Sequence, residues 1–226
     1  MAVSLKALRG PVYRIINPVV GWFIRNRIHP NAITTVGFVA TLAAGLLFHM
    51  DHVRTAGFFI LLGGLLDIFD GQVARKSDLA SKFGSFYDST LDRLSEIVVY
   101  LGLLSLYNRY GAELADLWMV YVIALAMGGS LMVSYTRAKA EALGLDCSVG
   151  FMQRAERVVL LGGGSLFFGL MWSGLVLKVI IIVVALGTVL TALQRMIWVY
   201  RHATGVPLDE APRPDPAKTS EEEKSL

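Results

Sequence analysis

Apolar residues run through this chain in long blocks, and the charges that break them recur near the block ends. Three windows of about twenty residues, 31–50, 117–136 and 158–177, contain no Asp, Glu, Lys or Arg, and each is long enough to cross a bilayer as a helix. Three more windows, 55–74, 86–108 and 179–200, are equally apolar but interrupted. Asp67 and Asp70 break the first, acids and Arg93 the second, and Arg195 the third. The pattern predicts an all-α integral membrane protein with six transmembrane helices. Ahead of them Leu8, Val12, Ile15, Val19 and Phe23 recur at helical spacing, with Lys6 and Arg9 off the stripe. That arrangement predicts an N-terminal juxtamembrane amphipathic helix lying on the membrane surface. After Tyr200 the composition turns to Pro207, Pro212, Pro214, Pro216 and a run of glutamates, as in a disordered tail. The expected division is a juxtamembrane segment over 1–29, a membrane domain over 30–202 and a tail over 203–226.

With 54% hydrophobic and 17% charged residues, the chain does not read as a soluble domain. Cys147 is its single cysteine, which excludes an intrachain disulfide and a thiolate metal cluster. The formal net charge of +3 matters less than its placement. Lys6, Arg9, Arg14, Arg25 and Arg27 precede the first window. Arg75, Lys76 and Lys82 follow the second, and Arg137, Lys139, Arg154 and Arg157 lie between the fourth and fifth. The opposite side has Arg54, Arg109 and Lys178. Positive residues favour the cytoplasmic side, so a multi-pass protein of the inner (plasma) membrane with both termini cytoplasmic is expected. These basic residues are juxtamembrane and not interleaved with exposed aromatics, which argues against nucleic-acid binding.

The candidate chemistry lies between Asp67 and Asp92. Asp67 and Asp70 are three apart, and Asp88 and Asp92 four apart; on helices each pair shares a face. Four acids beside membrane-grade sequence are costly unless they face a wet cavity and share a cation. Oxygen donors without Cys or His nearby suit a hard ion, Mg²⁺ before Zn²⁺. Gly71 lets a ligand approach the backbone, and Arg75 adds a fork suited to phosphate. After the break at His29-Pro30, Asn31, Ala32, Ile33 and Thr34 open a helix whose N-terminus is either a simple cap or an anion site. An intramembrane cation transporter is a competing class, although transporters distribute ionisable groups through the bilayer depth and these cluster at one end. A metal-dependent lipid phosphatase is a third.

The series Asp67-x-x-Asp70-Gly71-x-x-Ala74-Arg75, then Gly84, Asp88 and Asp92, places eight fixed positions across 26 residues. It resembles, without departure, the fingerprint of the CDP-alcohol phosphotransferases. The resemblance covers the whole hydrophobic region and not the tail. It implies six membrane helices behind a juxtamembrane helix, a homodimer, and transfer of a phosphatidyl group from CDP-diacylglycerol to an alcohol with release of CMP. By the same resemblance Asp67, Asp70, Asp88 and Asp92 hold two Mg²⁺ ions, sometimes Mn²⁺, and Asp92 is also the general base. Gly71, Ala74, Arg75 and Ser81, with Asn31, Ala32, Ile33 and Thr34, would hold the CDP moiety. The segments around Ser134–Glu141, Arg154–Arg157 and Arg195 are similar to the acceptor pocket of phosphatidylinositol-phosphate synthases. Ser134, Arg137, Lys139, Arg157 and Arg195 would then bind the phosphate of a phosphorylated polyol, myo-inositol phosphate. Ala155 stands where that pattern has proline, which affects only the rigidity of the loop. Glycerol 3-phosphate, giving phosphatidylglycerophosphate, is the alternative acceptor.

Overall fold

A computed structural model describes residues 16–114 and 116–203, with the side chains of 109–114 left aside. Positions 1–15 of the expected juxtamembrane segment and 204–226 of the expected tail lie outside the described residues. Seven helices follow one another within them. These are α1 (16–25), α2 (Pro30–His49), α3 (Val53–Lys76), α4 (Lys82–Leu114), α5 (Leu117–Ala142), α6 (Arg154–Phe168) and α7 (Leu175–Ala203).

The expectation of six transmembrane helices is corrected here. Four helices, α2, α3, α5 and α7, are long and apolar enough to cross a membrane, and they make the chain a multi-pass membrane protein. α4 is 33 residues long but carries Asp88, Asp92, Arg93 and Glu96 in its first half. α6 has 15 residues, about 22 Å at 1.5 Å per residue, which falls short of the ~30 Å hydrocarbon core. The uncharged window 158–177 had suggested a full span there. The helix instead stops at Gly169, which takes φ 52°, and Trp172, Ser173 and Gly174 continue at positive φ before α7 begins. Hydropathy summed over the window runs straight through that stop.

The helices pack through small residues. α2 lies against α3 and α4, α3 against α6, α5 against α4 and α7, and α6 against α7. A Cβ built on Gly57 of α3 would sit 2.4 Å from the Leu166 backbone nitrogen and 2.6 Å from the Gly162 carbonyl of α6. Only a glycine permits that approach. The main core joins Phe48, Ile60, Tyr100, Ile123, Leu161 and Ile181 from six helices. A second cluster seats α1 on the end of the bundle, with Ile16 and Val20 against Ile33, Phe69 and Val73. Ile16 and Val20 form the face of α1 turned to the bundle, with Phe23 packed beside them, while Val19 is exposed. Lys76 adds a hydrogen bond to Asn17 Oδ1 at 2.6 Å.

Candidate active site

The acid-bearing end of α3 and the start of α4 are joined by a turn that local chemistry dictates. Ser77 caps α3, its hydroxyl donating to the Val73 carbonyl at 2.6 Å. Asp78 takes φ 53°, a left-handed conformation that short polar side chains tolerate. Ser81 then opens α4, its Oγ accepting from the Gly84 amide at 2.9 Å, a typical N-cap bond. A Cβ at Gly84 would lie 3.1 Å from that Oγ and 3.4 Å from Asn31 Oδ1, so Gly84 lets α4 begin close against the start of α2. There His29, not Asn31, supplies the cap, its Nδ1 accepting from the Asn31 amide at 3.2 Å. Thr35 Oγ1 and the Tyr87 hydroxyl, 2.9 Å apart, tie α2 to α4.

This frame brings Asp67, Asp70 and Asp88 together, with one carboxylate oxygen of each within 4.8 Å of the others. Asp70 is buried, at 4% exposure, and its Oδ2 and the Oδ1 of Asp88 have no hydrogen-bond partner. Buried carboxylate oxygens without donors are costly, and three such groups repel one another. A hard divalent cation removes both penalties, so the residues fit a metal of that kind. Asp92, one turn after Asp88, stands outside the trio and pairs with Arg154 at the start of α6. The same guanidinium lies 3.6 Å from Asp67 Oδ1.

Two cavities flank the acids. One, of about 190 Å³, is lined by Asn31, Thr34, Asp70, Gly71, Ala74, Arg75, Ser81, Gly84 and Asp88. Six of the eight residues expected around a nucleotide thus share one wall. Ala32 and Ile33 do not line it: Ala32 is exposed, and Ile33 is packed in the α1 cluster. The other cavity, of about 540 Å³, is lined by Asp67, Asp92, Glu96, Ser134, Arg137, Gln153, Arg154, Arg157 and Arg195, among others. Four of the five residues expected to hold an acceptor phosphate lie there. Lys139 is exposed and outside the lining. Arg137 hydrogen-bonds Glu141 at 2.8 Å, Arg157 pairs with Glu96, and Arg195, 2% exposed, donates to the carbonyls of Val149 and Val133. The sequence places Arg154 only within a segment similar to an acceptor pocket, and it assigns no role to Glu96. Glu96 lies four residues past Asp92, on the same helix face, and that spacing was the available signal.

A family model described as CDP-alcohol phosphatidyltransferase matches residues 27–193. The chain is 35% identical over 197 residues to the archaetidylinositol phosphate synthase of Methanothermobacter thermautotrophicus, covering 87% of this chain and 94% of that one. It is 32% identical over 209 residues to the phosphatidylinositol phosphate synthase of Streptomyces avermitilis, covering 89% and 84% respectively. Among solved structures, the Mycobacterium tuberculosis phosphatidylinositol phosphate synthase with CDP-DAG bound superposes with a TM-score of 0.74 at 28% identity, covering 89% of this chain and 99% of that one. The same enzyme in complex with manganese and citrate gives a TM-score of 0.73 at 26% identity, covering 88% and 93%.

Proposed function

Because this chain belongs to the CDP-alcohol phosphatidyltransferase family, we propose that it transfers the phosphatidyl group of CDP-diacylglycerol to the hydroxyl of myo-inositol phosphate and releases CMP. The observation that carries this reading is the placement of the acids. Asp70 and Asp88 face one cavity, Asp67 and Asp92 face the other, and the carboxylates of Asp67, Asp70 and Asp88, drawn from both linings, lie within 4.8 Å of one another. A donor seated in one cavity and an acceptor in the other would meet at those acids.

The smaller cavity takes the nucleotide. Gly71 exposes backbone, and Arg75 supplies a planar fork for a phosphate. Asn31, Thr34, Ala74 and Ser81 complete its lining. Its position at the ends of spanning helices lets acyl chains remain in lipid while CDP stays in water. Asp67, Asp70 and Asp88 with Asp92 would hold two divalent ions, Mg²⁺ or Mn²⁺. Such ions offset the charge of the donor pyrophosphate and of the departing CMP.

The larger cavity takes the acceptor. Its wall of Arg137, Arg154, Arg157 and Arg195 suits a dianionic alcohol, which needs several charge-assisted hydrogen bonds; a neutral or zwitterionic alcohol would not. The names of the relatives from Methanothermobacter and Streptomyces share an inositol phosphate product and differ in the lipid. Asp92 accepts the proton of the attacking hydroxyl. The new bond forms between that oxygen and the phosphatidyl phosphorus as the bond to CMP breaks. The basic residues beside the acids, Arg75 and Lys76 at the end of α3, support an active site on the cytoplasmic face of the plasma membrane, and the family resemblance supports a homodimer.

The test is an acceptor panel of inositol phosphate, glycerol 3-phosphate, serine and inositol, with CDP-diacylglycerol and Mg²⁺, scored by CMP release and labelled lipid. Inositol phosphate should be the preferred acceptor, and Asp92→Asn should abolish turnover. Preference for glycerol 3-phosphate would make the enzyme a phosphatidylglycerophosphate synthase, and full CMP release by Asp92→Asn would remove Asp92 as the base.

A further inference from the structure

Glu96 and Arg157 meet in the lining of the larger cavity, and neither belongs to the trio of converging carboxylates. Glu96 stands one turn beyond Asp92 on α4, and Arg157 one turn into α6. Their side chains are 10% and 3% exposed. Glu96 Oε1 accepts a hydrogen bond from Arg157 Nη2, while the Met152 carbonyl accepts from Nη1 at 3.0 Å. Each terminal nitrogen of the guanidinium therefore has a fixed anchor. Its Nε has no hydrogen-bond partner, and neither has the second carboxylate oxygen of Glu96.

Stability alone gives a weak reason for this arrangement. A buried ion pair pays a desolvation cost that its attraction scarcely repays, and apolar residues of similar volume often do as well or better. An acid is also an odd neighbour in a pocket built for phosphate, because it competes for the cations. The contradiction disappears if the acid orients one of those cations. Arg157 is a long, flexible side chain that would otherwise sample many rotamers. Held at both terminal nitrogens, it keeps its remaining N–H groups in one place for an anion.

We propose that Glu96 is a positioning residue for the acceptor phosphate, acting through Arg157. The inference rests on the acceptor reading of the larger cavity. Glu96 lies outside the lining of the smaller cavity and outside the trio of carboxylates, so its loss falls on one substrate. A displacement of about 1 Å in a positioning group can cost as much as 100-fold. Glu96→Gln, which keeps an accepting oxygen but loses the charge, should raise the KM for inositol phosphate by about tenfold. The KM for CDP-diacylglycerol and the Mg²⁺ dependence should stay at wild-type values. Glu96→Ala should raise the acceptor KM further, and where it fails to fold, Glu96→Gln carries the measurement.

The decisive comparison adds Arg157→Ala and the double variant Glu96→Gln/Arg157→Ala, assayed in detergent with inositol phosphate as the varied substrate. If Glu96 works through Arg157, the double variant is no worse than Arg157→Ala alone. Multiplying losses, or equal rises in donor and acceptor KM for Glu96→Gln, overturn the inference. So does a wild-type acceptor KM in Glu96→Gln beside a raised one in Arg157→Ala, and that result leaves the acceptor reading standing. An unchanged acceptor KM in Arg157→Ala overturns both.

Discussion

Replacing Asp70 with Asn keeps the shape of the side chain and removes one of three negative charges that lie within 4.8 Å of one another. At an effective dielectric of about 20, two unit charges about 5 Å apart repel by roughly 3 kcal/mol. Asp70 faces two such neighbours, so the largest relief is about 6 kcal/mol. Solvent reaches the partly exposed Asp67 and Asp88, and Arg154 already offsets part of the charge. The expected gain is therefore about 1–3 kcal/mol in the metal-free protein. For a chain of this size that is roughly 3–10 °C in Tm. Wild-type protein should gain more from metal than the variant does, since an ion present at about 100 times its Kd stabilises by about 2.7 kcal/mol. The assay is thermal unfolding in detergent, with chelator and then with Mg²⁺ or Mn²⁺. Asp70→Asn should melt above wild type in chelator and show little metal-induced shift, with activity lost. An Asp70→Asn protein no more stable than wild type in chelator, or one retaining the full metal shift, would refute the assignment of this cluster as a cation site.

Two other outcomes follow from single contacts. Arg195→Met should lower Tm in detergent, because it leaves the part-buried Val149 carbonyl without its Arg195 donor at a cost of about 1–3 kcal/mol; a wild-type Tm with only a raised acceptor KM would show that this bond holds nothing together. Arg75→Ala should raise the KM for CDP-diacylglycerol about tenfold or more and leave the acceptor KM unchanged, since a hydrogen bond to a charged group is worth about 1.5–3 kcal/mol. Steady-state kinetics with each substrate varied in turn separates the two.

Much of the site was legible because its grammar is local. Asp67 and Asp70 at three apart, and Asp88 and Asp92 at four, need only a helical period to share a face. Gly71 and Arg75 follow Asp70, and Gly84 precedes Asp88, within a turn or two, so their place beside the cluster required no knowledge of distant packing. The same locality identified apolar helices and the basic residues that flank them. It also explains the errors. The window 158–177 is apolar throughout, yet the helix ends at Gly169, because a left-handed backbone conformation leaves no trace in summed hydropathy. Ile33 stands in the turn expected near an anion, and its side chain packs with α1 in a core cluster, a contact that no local pattern announces.

What the sequence by itself determined was the inventory: a membrane-embedded helical chain, a set of acids on two helix faces, and cations waiting near one membrane surface. Which cation meets which acid was decided only when the helices packed. Arg154 goes to Asp92 and Asp67, Arg157 goes to Glu96, and Arg195 goes to two backbone carbonyls. Each of these partners lies 46 or more residues away in the chain, and a long flexible side chain has no preference among anions until the bundle leaves it one within reach. The physical reason is separation in sequence: periodicity orients a residue on its own helix, whereas close approach through glycines such as Gly57 determines what that residue faces.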